Sequence, residues 1–233
     1  MASNNEQRAT LLRSSAHAFC KALVSPPPPK DLLSQYFTSA SSSAPPRIHE
    51  HGPHWAAKRL PFLGRTFEGT DECVKYFEVL SQTLRMKLDG SSFPGPEGFV
   101  VDLEGDAGAA ARRGKAGGGG AGGADKGVKG LWTGGRKEEG NGLWSPAGRS
   151  GGGGLGGGRG SGAGKGAVSV VGRGVFESVK TGRKWEEEFV YVLSGWDSEG
   201  KFTSWEIWAD PLSAWLAVQE NEVEGWEKGG FAK

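Results

Sequence analysis

Between residues 166 and 218 the chain runs through three stretches rich in β-branched and aromatic residues, separated by glycine-containing turns. The first is Val168-Ser169-Val170-Val171-Gly172-Arg173-Gly174-Val175-Phe176 and the second Lys184-Trp185-Glu186-Glu187-Glu188-Phe189-Val190-Tyr191-Val192-Leu193. The third is Phe202-Thr203-Ser204-Trp205-Glu206-Ile207-Trp208-Ala209. A period of two bounded by turn residues specifies strands, and two short connections make them neighbours, so this region predicts an antiparallel meander. A first loop centred on Thr181-Gly182 pairs Val170 with Leu193, Gly172 with Tyr191, Gly174 with Phe189 and Phe176 with Glu187. If the second loop, Asp197-Ser198-Glu199-Gly200, has four residues, Tyr191 faces Glu206 and Phe189 faces Trp208. The other face then carries Val171, Val190, Val192, Trp205 and Ile207. Both faces are largely apolar, so each needs a cover: helices of this chain on one, a second copy of the chain on the other.

Composition matters mainly for what interrupts the pattern. Residues 105–166 hold 27 of the 41 glycines, and ten Lys/Arg against four Asp/Glu. The rest of the 233-residue chain has ordinary globular composition, so the expected organisation is one discontinuous domain, 1–104 with 167–219. The stretch 105–166 reads as a disordered low-complexity insertion and 220–233 as a flexible tail. Within the insertion, Gly162-Ala163-Gly164-Lys165-Gly166 resembles a phosphate loop. Arg159 stands where the first glycine is required, however, and a strand follows instead of a helix. No Arg-Gly-Gly triplet occurs, and Trp132 and Trp144 are the stretch's only aromatic residues, so nucleic acid is not the expected partner.

Upstream, residues 6–24 read as a helix with Leu12, Ala16, Phe19, Cys20 and Leu23 on one stripe, ended by four prolines. A short helix follows with Leu32, Leu33, Tyr36 and Phe37 as its apolar face. Arg47-Ile48-His49-Glu50-His51 reads as a strand and residues 55–69 mostly as loop. Thr70 is placed as the cap of a third helix burying Cys73, Val74, Phe77, Leu80, Leu84 and Leu88. Residues 98–103 predict another strand. Asp210-Pro211 has the residues of an N-cap and first turn, opening a last helix. Two lone cysteines suggest reduced thiols, and no apolar run reaches the ~20 residues of a membrane span. No signal peptide is expected, which makes the cytoplasm the default compartment.

Helices first and a long curved sheet afterwards resemble the nuclear transport factor 2-like fold, and within it the SnoaL-like family. The residues carrying the resemblance are Glu50-His51-Gly52-Pro53, Leu60-Pro61-Phe62-Leu63-Gly64-Arg65, Phe67-Glu68-Gly69 and Tyr76-Phe77. Downstream they are Gly182-Arg183-Lys184-Trp185, Phe189-Val190-Tyr191 and Trp205-Glu206-Ile207-Trp208-Ala209-Asp210. The resemblance implies an α+β cone, with N-terminal helices packed in a curved antiparallel sheet around a pocket, and often a homodimer formed through the sheet's outer face. It does not imply one activity, because the fold hosts isomerases, cyclases, dehydratases and binding proteins. The insertion at 105–166 departs from the family pattern.

Three groups of residues are chemical candidates. Tyr191 opposite Glu206, with Glu187, Phe189 and Trp208 nearby, would put a carboxylate and a phenol in an aromatic cavity. There a desolvated carboxylate can move protons near neutral pH, and a tyrosine hydroxyl can stabilise a developing enolate. Glu206, Tyr191 and Glu187 are therefore the expected catalytic residues, against the alternative that they sit on a solvated rim. His51, Glu50, Trp55, Phe189 and Trp208 are expected to line the pocket. The third group, His49-x-His51-x-x-His54, is metal-like. Alternation puts His49 and His51 on one face and Glu50 on the other, and no further cluster completes a ligand set, so no metal is expected. The functional expectation is a pocket for a small hydrophobic molecule, with cofactor-independent acid–base catalysis. The alternative is a non-catalytic ligand-binding or dimeric scaffold protein of the same fold, and behind it an RNA-associated protein using the basic glycine-rich insertion.

Overall fold

Asn4–Val24 forms α1, the longest helix described, because its apolar residues recur at helical spacing and its start is doubly capped. Ser3 accepts from the Glu6 backbone N–H while the Glu6 carboxylate accepts from the Ser3 N–H. Leu12, Ala16, Phe19, Cys20 and Leu23 are buried, the stripe read from the sequence. The structure is a computed structural model that describes residues 3–39, 44–105 and 164–220. Nearly all of the glycine-rich insertion and the tail beyond 220 lie outside the described residues.

The other elements are α2 (Pro29–Tyr36), β1 (Arg47–Glu50), β2 (Thr66–Glu68), α3 (Thr70–Thr83), β3 (Leu84–Lys87) and β4 (Val100–Asp102). The meander follows as β5 (Gly164–Ser178), β6 (Lys184–Trp196) and β7 (Ser204–Trp208), and α4 (Pro211–Ala217) closes the described chain. The sheet order is β2-β1-β7-β6-β5-β3, with β4 also pairing β5. Contrary to an all-antiparallel expectation, β1 runs parallel to β7, so the sheet is mixed. The strand that starts the sheet in sequence docks against the strand that ends it, and nothing local fixes that direction. Asp210 caps α4 as expected, its Oδ1 accepting from the N–H groups of Leu212 and Ser213. Two details of α3 differ from expectation. Gly69 is its N-cap and Thr70 its first residue, and the helix stops at Thr83, with Leu84 opening β3 while still buried. Among the described residues no helix is long and apolar enough to cross a membrane.

The register of the meander decides which side chains meet. In β5–β6, Val170 pairs with Tyr191, Gly172 with Phe189 and Gly174 with Glu187, two residues from the expected pairing. The four-residue loop is Val179-Lys180-Thr181-Gly182, one residue earlier than expected, with Gly182 at φ +71°. An even slip keeps the faces, so Glu187, Phe189 and Tyr191 point inward as anticipated. The second loop is a different matter. The Asp197 N–H donates to the Lys201 carbonyl, leaving a three-residue loop in which Gly200 takes φ +83°. Asp197 Oδ1 accepts from the N–H groups of Glu199 and Lys201, bracing the turn. An odd loop length moves the pairing by one, so Tyr191 faces Ile207 and Val192 faces Glu206. Every side chain of β7 is therefore reversed relative to the expectation. Trp205 and Ile207 are buried inside, while Glu206 and Trp208 belong to the outer face.

Inside, rings pack edge to face. Trp205 lies 5.1 Å from Phe19 at 84° and 4.9 Å from Tyr191 at 85°, tying α1 to the sheet. The ends of the insertion also meet, since the Gly166 N–H donates to the Gly105 carbonyl at 3.0 Å. Replacing 106–165 with a short turn is therefore expected to leave thermal unfolding cooperative and to raise its midpoint by several degrees, because closing about 60 residues costs roughly 2 kcal/mol more than closing a turn. Loss of the cooperative transition in calorimetry would make the segment part of the fold.

Candidate functional site

The enclosed site lies between α3, α4 and the inner face of the sheet. Its apolar wall includes Leu60, Phe62, Leu80, Phe176, Phe189 and Ile207, and its polar groups are Glu50, Tyr76, Trp185, Glu187, Tyr191 and Asp210. Each arrives by simple geometry. Glu50 shares the inner face of β1 with Ile48, two residues away. Trp185, Glu187, Phe189 and Tyr191 alternate along β6. Tyr76 lies on the buried side of α3 with Cys73 and Leu80, at helical spacing. The cavity volume is ≈ 30 Å³, room for about one or two water molecules. Met86, 36% exposed, lies at its rim.

The two inward carboxyl groups are held differently. Tyr76 donates its hydroxyl to Glu50 Oε2 at 2.8 Å, and the Trp185 indole N–H donates to Glu187 Oε2 at 2.9 Å. Burial pushes the Glu50 carboxyl up from 4.5 to about 7; the Tyr76 hydrogen bond pulls the other way and the charge of Glu187 adds to the rise. Burial likewise pushes Glu187 to about 7, opposed by Trp185 and reinforced by the charge of Asp210. Tyr76 and Tyr191 are both raised well above the ordinary tyrosine value, chiefly by burial, so they remain hydroxyl donors. At neutral pH two such carboxyls carry about one proton between them, which puts an acid and a base in one apolar cavity.

Glu187, Tyr191, Phe189 and Glu50 are thus brought together, and the other expected site residues are not. Glu206 is buried on the outer face. It meets Arg47 Nη2 at 2.6 Å and His51 Nε2 at 2.7 Å, and accepts from the Ser204 hydroxyl. Arg47 reaches Glu206 because β1 flanks β7 on the side away from β6. His51 stacks on Trp208 at 3.8 Å on that same outer side, so neither lines the cavity. Trp55 is 60% exposed and packs edge-on against Trp215, away from the cavity. The expected outer patch loses Trp205 and Ile207 to the core and keeps Val171, Val190 and Val192. Tyr76 and Trp185 were missed as site residues. The alternation that placed Glu187 inward also places Trp185, while Tyr76 depends on the rotation of α3, which the sequence sets less sharply.

Helices packed on one face of a mostly antiparallel sheet, with the cavity between them, define an α+β fold. No protein-family model matches the chain, and no curated protein does. Among solved structures it is similar to a nuclear transport factor 2-like protein from Burkholderia xenovorans LB400. That match has 15% identity and a TM-score of 0.45, covering 90% of this chain and 96% of that one. A counterpart from Burkholderia thailandensis E264 has 16% identity and a TM-score of 0.42, covering 89% and 97%. A protein described as a candidate SnoaL-like polyketide cyclase, from Jannaschia sp. CCS1, has 12% identity and a TM-score of 0.35, covering 83% and 80%. With TM-scores below 0.5, these likenesses carry no argument.

Proposed function

We propose that this chain is a small-molecule pocket protein that catalyses cofactor-independent proton transfer, of the isomerase, cyclase or dehydratase kind, on a small carbonyl compound. The observation that carries the reading is the pair of inward carboxyls, Glu50 and Glu187, both near 7 in one apolar cavity. In this reading Glu187 in its ionised form takes a proton from the carbon next to the carbonyl. The Tyr191 hydroxyl donates to the oxygen where the enolate charge develops. Glu50, positioned by Tyr76, holds the other proton and returns it to the oxygen or to a second carbon. The net result moves one proton and one double bond, with no redox change and no cofactor required.

A second reading, a non-catalytic binding or scaffold protein of the same fold, has one observation in its favour. The ≈ 30 Å³ cavity is narrowed by the rings of Phe62, Phe176, Phe189 and Tyr191, and only a very small ligand enters without the lining parting. Titration of the glutamate side chains by carbon-detected NMR separates the two. Catalysis expects two carboxyls with midpoints near 7, each abolished by its own Gln substitution. Ordinary values near 4.5 for both would leave the scaffold reading in front.

A further inference from the structure

We infer that His49, His51 and Glu206 form a binding site for a divalent transition-metal ion of the zinc class on the outer face of the sheet. The site lies on the other side of β1 from Glu50 and is independent of the cavity. It arises from two features of the strands. His49 and His51 are two apart on β1, so both imidazoles project from one face. The parallel pairing sets His49 directly beside Glu206 of β7, supplying the carboxylate that residues near the histidines in sequence do not offer. The ligand atoms of the three side chains lie within 4.8 Å of one another. A tetrahedral ion with bonds of about 2.1 Å needs ligand atoms about 3.4 Å apart, within reach of small side-chain rotations.

The surroundings aim each donor. Thr66 Oγ1 lies 3.0 Å from His49 Nδ1, leaving Nε2 as the ligand atom of that ring. The His51 ring is held flat against Trp208 with 9° between the planes, and its Nε2 points at Glu206 Oε2 from 2.7 Å. Arg47 and Ser204 engage Oε1 only, so Oε2 is the oxygen presented to an ion. An ion would displace the proton between His51 and Glu206 and leave a fourth position for water, which reaches the site because both histidines are partly exposed. Two imidazoles and one carboxylate suit zinc, nickel or copper and not the all-oxygen preference of magnesium or calcium. The Arg47 charge beside the site opposes a cation, so the affinity expected is micromolar and not nanomolar.

The test is calorimetric titration of the full chain, stripped with chelator, using zinc chloride alone. One ion per chain at micromolar Kd is expected. His49→Gln and His51→Gln should each weaken binding at least tenfold, while His54→Gln binds as the unaltered chain does and magnesium gives no saturable heat. Both tested histidines are partly exposed, so the variants keep the fold, which circular dichroism checks. Cobalt provides a second readout, since its visible absorption should report a nitrogen–oxygen ligand set without a thiolate charge-transfer band. Absence of saturable zinc binding overturns the site and leaves Arg47-Glu206-His51 as an ion-paired network only. Binding unchanged in either histidine variant, or a thiolate band pointing to Cys20 or Cys73, overturns it equally.

Discussion

Replacing Glu50 with Gln is expected to raise the thermal midpoint by about 5–10 °C at pH 8 and to leave it nearly unchanged at pH 4. Burial raises this carboxyl from 4.5 to about 7 in the folded chain. Below 4.5 both folded and unfolded forms carry the proton, and the group costs nothing in charge. As pH rises from 4.5 to 7 the unfolded chain ionises first, so folding stability falls, and above 7 the loss is complete and flat. A rise from 4.5 to about 7 corresponds to roughly 3 kcal/mol. Gln is nearly isosteric and keeps an oxygen to accept from Tyr76, so it removes the charge without breaking the bond that positions the side chain. Differential scanning calorimetry at the two pH values decides the matter. A variant no more stable than the parent at pH 8 would mean that Glu50 is solvated or paired in solution. A residue that costs stability at neutral pH is what a functional carboxyl in a core looks like.

How far the sequence leads here depends on how local each determinant is. The stripe of α1, the strands of the meander and the Asp210 cap are set by spacings within a few residues, and all are found where the spacing puts them. Glu187, Phe189 and Tyr191 fall on one face because alternation along a single strand survives any even slip of register. Glu206 does not share their face because its side depends on whether one loop has three or four residues. The sequence 197–200 accommodates both. Gly200 at positive φ and the Asp197 side chain select the shorter loop, and with it the reversal of β7. The parallel docking of β1 on β7 is less legible still, since partners some 150 residues apart carry no pattern that names each other. That docking unites the His49-x-His51 pair with an acid and gives Glu206 its arginine.

Proton exchange is the property expected to change most. In heavy water, a panel of small ketones, aldehydes and esters incubated with the protein should show enzyme-dependent exchange of hydrogen next to the carbonyl for at least one member. Glu187→Gln should reduce that rate by about 100- to 10,000-fold, the usual worth of a positioned base. Tyr191→Phe should cost about 100-fold, because it removes the donor to the enolate oxygen and leaves the base in place. The run Glu186-Glu187-Glu188 supplies its own controls, since the outer two are exposed on the opposite face and only the middle one lines the cavity. Glu186→Gln and Glu188→Gln should exchange at the parent rate. Below pH 7 the parent rate should fall as Glu187 gains its proton, and above pH 7 it should fall again as Glu50 loses the proton it supplies, giving a bell centred near 7. A rate insensitive to Glu187→Gln would remove this side chain as the base. A loss shared equally by all three glutamate variants would point to surface charge as the cause. No exchange on any carbon acid small enough for the cavity would remove proton transfer itself and favour the scaffold.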